Sequence, residues 1–364
     1  MSLSAPPAPL QSRWAPRPME IHPVGTAPIG AGGDPLSTMQ WHLDHQHGVP
    51  LTGLPFEITD DQWLGAWLRA RERRPGLTKN RLAEGLAHTE MPCYTINPDH
   101  RLSPADLALG RVEQTDAAFA VKDRLIGRQI PERLQVSIPN ALDLAYFVSG
   151  STEAAPDWMV DAQAMINGEI REIAKRWGDM VQLQLESPSI LLAYYVTPRE
   201  LWPRLTTQLA HQVAETIGVA PEVPWVLHLC YEGPELDPLV EPADLDAAVL
   251  FLNALAGALA ERGTPMPRIH LPAAAGVAAP STDPDFYAAL GDLRRGIDVI
   301  AGVVAEGHPD ETRTALALMT DALGAPVTAI GAACGLRQRT IAAGGANLAL
   351  AASVARAWTA TCTS

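Results

Sequence analysis

Residues 224–233 read Pro224-Trp225-Val226-Leu227-His228-Leu229-Cys230-Tyr231-Glu232-Gly233. The apolar run at their centre has the length of a buried strand, and it ends in a His-x-Cys pair. Side chains alternate along a strand with period two, so His228 and Cys230 point to the same side. A second apolar run leads into Ala332-Ala333-Cys334-Gly335-Leu336. The two segments offer one imidazole and two thiols, the donor types of a zinc site that keeps one position open.

On either side of this run the chain alternates short β-like segments with helical patterns. The first four β-like runs are Ile21 to Thr26, Met91 to Ile96, Arg133 to Ile138 and Met180 to Leu185. The second four are Trp225 to Leu229, Arg268 to Leu271, Val299 to Val304 and Val327 to Ile330. Between them lie amphipathic stretches at Pro198–Thr216, Ala243–Arg262, Asp283–Arg295 and Asp310–Leu323, and an apolar helix is expected over Gln338–Trp358. Asp283-Pro284 has the pattern of an N-cap followed by proline at the first helical position. Eight strands alternating with helices predict the α/β class and a closed (β/α)₈ TIM barrel, with a helical insertion after the first strand over about 35–88.

The chain has 364 residues, of which 47% are hydrophobic and 19% charged, enough apolar material for one large core. Residues 1–20, rich in Pro, Ala and Ser, are expected to form a disordered tail, and 21–364 a single domain. Cysteines at 93, 230, 334 and 362 have no framework spacing, which fits a reducing cytosol and no disulfides. A formal charge of −14 and the lack of a Lys/Arg cluster argue against nucleic acid as a partner. The N-terminal segment reads as no secretory signal and no stretch as a membrane span, so the expectation is a cytoplasmic protein without a membrane partner.

Catalytic groups of barrel enzymes stand at the carboxyl ends of strands. His228 and Cys230 end the fifth run, His270 lies near the end of the sixth, Glu306 and His308 follow the seventh, and Cys334 follows the eighth. Alone, each cysteine would read as a small buried hydrophobe and His228 as a core histidine. A His-x-Cys pair and a Cys-Gly turn at the same mouth favour a metal site instead, with Cys230 and Cys334 as thiolates and His228 as a neutral imidazole. Glu306 and His308 are candidates for a general acid and base, with a solvated loop as the plainer reading. Gly30-Ala31-Gly32-Gly33 reads as a flexible loop, His42, His45 and His47 as a His-rich surface loop, Cys93 as a buried structural thiol and Cys362 as exposed.

In these segments the chain resembles the methyltransferase barrel of cobalamin-independent methionine synthase and its shorter relatives, including zinc alkyltransferases that use coenzyme M. His228-Leu229-Cys230-Tyr231 is similar to the family's His-x-Cys-Tyr ligand strand, and Cys334-Gly335-Leu336-Arg337-Gln338-Arg339 to its Asp-Cys-Gly-Leu-x-x-Arg turn. Gln184-Leu185-Glu186-Ser187-Pro188-Ser189 resembles Gln-x-Asp-Glu-Pro-Ala, and Val24-Gly25-Thr26-Ala27-Pro28 resembles the Gly-Ser-x-Pro opening. The resemblance implies a TIM barrel holding Zn²⁺ on His228, Cys230 and Cys334, with Glu186, Ser187, Gly25 and Thr26 near a small thiol substrate. The implied reaction moves a methyl or alkyl group onto that sulfur from a folate, a corrinoid protein or a small molecule.

Three departures bear on the site. The family pattern supplies a glutamate ligand on the strand after His-x-Cys, whereas Ile269-His270-Leu271-Pro272-Ala273-Ala274-Ala275-Gly276 carries no carboxylate. Either three protein ligands suffice, or His270 turns inward as a fourth. The family's Asp-Glu pair for the amino group of homocysteine reads Glu186-Ser187, and Ala333 stands where an aspartate precedes the last zinc cysteine. Two other functions share the barrel: a metal-free lyase resembling uroporphyrinogen decarboxylase, against which the thiols argue, and a metal- or corrinoid-binding barrel without catalysis.

Overall fold

The structure, a computed structural model, describes residues 18–57, 63–80, 92–126, 129–232 and 240–363; of Gln338 and residues 361–363 only the backbone is considered. The expected tail lies outside these residues up to position 17, as does the Cys362 side chain. The strands are β1 (Glu20–Ile21), β2 (Leu54–Pro55), β3 (Leu77–Asn80), β4 (Cys93–Ile96), β5 (Leu134–Pro139), β6 (Val181–Ser187), β7 (Trp225–Leu229), β8 (Arg268–Pro272), β9 (Val299–Val304) and β10 (Ala329–Ala332). Eight of them form one parallel sheet in the order β1-β10-β9-β8-β7-β6-β5-β2. Ile21 in the edge strand β1 makes an isolated parallel bridge with Leu51, ahead of β2, where Ile21 N donates to Pro50 O and Thr52 N to Ile21 O, both at 2.9 Å. The sheet is therefore curled, and its helices lie on the outside.

Period-two alternation explains how each strand serves two layers. In β6, Val181, Leu183 and Leu185 join the main hydrophobic core, while Gln182, Gln184 and Glu186 turn to the interior. Gln184 Nε2 donates to Val24 O at 2.6 Å and Gln135 Nε2 to Pro23 O at 2.8 Å, so buried amides tie down the chain that follows the two-residue β1. Val226, Ile300 and Ala329 form a small separate apolar cluster on the strands β7, β9 and β10.

The crossover helices match the sequence pattern over Trp202–Ile217, Asp246–Glu261, Pro309–Leu323 and Ile341–Thr363. Asp283 caps its helix as expected, accepting from Asp285 N at 3.0 Å, but the helix is short, Pro284–Tyr287, and runs on as a 3₁₀ turn. Among the described residues no helix is long and apolar enough to cross a membrane.

The expected second strand is corrected. Cys93–Ile96 pairs antiparallel with Leu77–Asn80 in a separate two-stranded sheet, and Leu54–Pro55 takes the place beside β5. The physical reason is that two residues suffice for a strand when β5 supplies the partner, a tertiary effect that no local periodicity announces. The insertion thus contains a strand of the sheet as well as the helices Pro35–Asp44 and Trp63–Arg71.

Candidate metal centre and its cavity

His228 lies in β7, Cys230 directly after it, and Cys334 two residues after β10. The Cys230 and Cys334 Sγ atoms are 3.2 Å apart, and Cys334 Sγ is 3.9 Å from His228 Nε2. One donor atom from each residue lies within 4.8 Å of the others. Ligands held at about 2.3 Å (S) and about 2.0 Å (N) on one tetrahedral ion stand roughly 3.5–3.8 Å apart, so these side chains need only small shifts to share a metal. His228 and Cys230 are buried and Cys334 is half-buried.

His270, left open as a ligand by the sequence, has both ring nitrogens engaged. Its Nε2 lies 3.0 Å from Ala332 O, and its Nδ1 lies 2.7 Å from His228 Nδ1. A carbonyl can only accept, so His270 Nε2 carries the proton and Nδ1 is an acceptor. His228 therefore donates through Nδ1, which leaves its Nε2 lone pair turned toward Cys334. Burial keeps both rings neutral, pushing His228 well below the ordinary value and His270 down to about 4. His22 extends the row, 5.3 Å from His270 between ring centroids and likewise lowered by burial. The hydrogen bond with Cys230, then burial, pushes the Cys334 thiol well above its usual range. A cation would reverse that by favouring both thiolates.

Beside the three donors opens a cavity of about 140 Å³, lined by Val24, Thr26, Glu57, Arg111, Glu186 and Arg337 among others. Glu186 is half-buried, and desolvation together with Glu57 raises its carboxyl to about 7. Glu57 Oε1 accepts from Ser137 N at 2.7 Å. Arg111 opens the helix Arg111–Lys122, whose first backbone N–H groups are held by Glu169: Leu109 N and Gly110 N donate to Oε1 at 2.8 and 3.0 Å, and Arg111 N to Oε2 at 2.9 Å. The carboxylate satisfies the free donors of a helix start and so fixes where Arg111 enters the cavity.

Thr26 and Glu186 line this cavity, and Gly25 is turned so that a Cβ there would stand 3.7 Å from Glu186 Oε1. Ser187 faces Asp143, donating to Oδ2 at 2.9 Å, and Ser189 N and Oγ donate to Oδ1 at 2.8 and 2.5 Å. Burial still raises Asp143 to about 6. Glu306 and His308 are not among the lining residues. Glu306 takes both carboxylate oxygens to Arg339 Nε at 2.8 and 2.9 Å and accepts from Asn347 Nδ2 at 2.8 Å. His308 lies at the start of Pro309–Leu323, 3.3 Å from Glu311.

The His-rich surface loop is also corrected: His42 belongs to the helix Pro35–Asp44, is buried, and bonds Gly25 O through Nε2 at 3.2 Å, while His45 stacks on Trp41. Cys93 is buried, as expected. Glu57, Arg111, Asp143, Glu232 and Arg337 were missed in the sequence. For Glu232 a signal existed in the i, i+2, i+4 spacing of 228, 230 and 232.

No family model and no curated protein sequence matches the chain. Solved structures do match. A B12-independent methionine synthase from Shewanella sp. W3-18-1, in complex with selenomethionine, superposes with a TM-score of 0.60 at 12% identity, over 95% of this chain and 100% of that one. A methyltransferase from Methanosarcina mazei matches with a TM-score of 0.49 at 11% identity, over 94% of each chain. The first likeness shows that the curled parallel sheet and its helices share the fold of that synthase, a TIM-barrel-like α/β arrangement.

Proposed function

We propose that this protein is a zinc-dependent methyl- or alkyltransferase, built on a closed (β/α)₈ barrel, that alkylates the sulfur of a small thiol. The observation that carries the reading is the convergence of His228, Cys230 and Cys334 at a cavity that Glu57, Glu186, Arg111 and Arg337 line together with apolar side chains such as Leu144 and Phe147. Bound zinc would hold an incoming thiol in its deprotonated, nucleophilic form at neutral pH.

The protein's own groups prepare that event. His270 fixes the His228 ring so that a lone pair faces the thiols. Glu57 and Glu186 offer carboxylates to a cationic group of the substrate, and Arg111 and Arg337 offer positive charge to an anionic one, which suits a thiol bearing polar substituents such as homocysteine or coenzyme M. The cavity is below the roughly 300–1,000 Å³ of pockets for drug-sized ligands, so it aligns a small acceptor, with the alkyl donor approaching from the mouth. That donor is a folate, a methyl-corrinoid protein or an activated small molecule.

Metal analysis of the purified protein is the direct test. Zinc should be stoichiometric, and Cys230→Ser and Cys334→Ser should each lose most of it while the far-UV dichroism is retained. Zinc-edge absorption should gain one sulfur scatterer on adding homocysteine or coenzyme M. Full metal content in both serine variants would refute the reading. A second reading, a metal-free lyase gripping substrate carboxylates, draws on Arg111 and Arg337 in the same cavity; activity that survives complete chelation would favour it.

A further inference from the structure

We propose that Glu232 is the fourth protein donor of the metal centre, supplied by the His-x-Cys segment itself and occupying the position from which a small thiol would displace it. This rests on the reading of His228, Cys230 and Cys334 as metal ligands.

Three observations carry it. Residues 228, 230 and 232 form an i, i+2, i+4 series that runs from β7 past its end at Leu229, and all three line one cavity. Glu232 is buried, lines the same cavity as the three donors, and donates its backbone N–H to Cys230 Sγ at 3.3 Å; its carboxylate lies outside the 4.8 Å group that His228, Cys230 and Cys334 form and must turn toward it to bind. The segment after β8 then leaves room for it. Ala273, Ala274 and Ala275 bring no side chain longer than a methyl group, and Gly276 has φ +57°, where a Cβ would overlap Glu232 Oε1 and stand 3.2 Å from its Cδ. The Glu232 carboxylate therefore fills space that any side chain at 276 would contest.

The chemistry suits the place. With two thiolates and a neutral imidazole, a divalent ion still has one coordination position, and an oxygen donor there exchanges more readily for an incoming sulfur than a third thiolate would.

The test uses the full chain reconstituted with zinc, with affinity read by competition against a chromophoric chelator. Glu232→Gln keeps the shape but is a poor ligand. It should bind zinc at least tenfold more weakly than the parent, with unchanged unfolding in the absence of metal. The gap should narrow when a saturating thiol occupies the fourth position. Gly276→Ala, which displaces the carboxylate without removing it, should weaken zinc in the same direction. Affinity within twofold of the parent in Glu232→Gln, or a deficit that added thiol leaves undiminished, overturns the proposal. Failure of the parent to hold zinc at all would instead strike the underlying functional reading, so the two failures are distinguishable.

Discussion

His228 and His270 face each other Nδ1 to Nδ1 at 2.7 Å, and the second ring is anchored through Nε2 to Ala332 O at 3.0 Å. Partners of this kind set the tautomer and orientation of a ligating histidine, and their loss typically costs 10–100-fold in metal affinity. His270→Phe removes the acceptor and keeps an aromatic body. Zinc affinity measured by chelator competition should fall about 10–100-fold while the metal still binds. Complete loss of zinc would point to direct ligation by His270, and unchanged affinity would mean that the pair does not fix His228.

The close approach that makes this pair possible depends on Gly302 in β9. A Cβ at that position would lie 2.8 Å from His270 Cε1 and 2.9 Å from its Nε2, with Pro272 Cα equally close at 2.9 Å. The backbone of Pro272 cannot yield cheaply, so the His270 ring must. Gly302→Ala should destabilise the fold by about 1–3 kcal/mol and lower zinc affinity together. Denaturant titration and chelator competition on the same sample check it. A variant that loses stability and keeps full affinity would uncouple the ring from the metal site.

These dependences explain what was legible beforehand. β5 to β10 are long enough for alternation or a continuous apolar run to show, and their order placed His228, Cys230 and Cys334 at one mouth. β2 was invisible because Leu54–Pro55 is a strand only by virtue of Leu134 and Gln135. Cys93–Ile96 looked equally strand-like, yet nothing local distinguishes a hairpin partner from a neighbour in the barrel. Glu57 follows β2 and was lost with it. Arg111 reaches the cavity because Glu169, 58 residues away, holds its backbone N–H, a contact with no sequence signature.

Glu306 offers a test between proton handling and support. Its carboxylate grips Arg339, whose side chain is 2% exposed and whose Nη1 also donates to Gly335 O at 3.3 Å, beside Cys334. Removing one member of such a pair leaves a buried charge uncompensated, typically at a cost of 3–5 kcal/mol. Glu306→Ala should lose about that much unfolding free energy in urea and loosen the Cys334 turn. The conservative Glu306→Gln should keep the pH–rate profile of the parent. A missing limb in that profile, with stability intact, would assign Glu306 to acid–base chemistry.

Glu186 links stability to the cavity's chemistry through pH. Burial, then the neighbouring Glu57, raises its carboxyl from 4.5 to about 7 in the folded protein. The fold thus prefers the protonated acid, and the sign follows from linkage. Below the unfolded value near 4.5 both states are protonated and the group costs nothing. As pH rises from there to 7 the unfolded chain ionises first, and stability is lost until the folded group has ionised too. One unit is worth about 1.4 kcal/mol, so the full penalty above pH 8 is roughly 2–4 kcal/mol. Glu186→Gln removes the ionisation and should be more stable than the parent by that amount at pH 8.5, with the two converging near pH 4.5. Urea unfolding at the two pH values measures it, and a difference independent of pH would contradict the argument. The same variant should bind an amine-bearing thiol more weakly at pH 8.5, because the carboxylate whose desolvation costs stability is the one that a substrate ammonium group would neutralise.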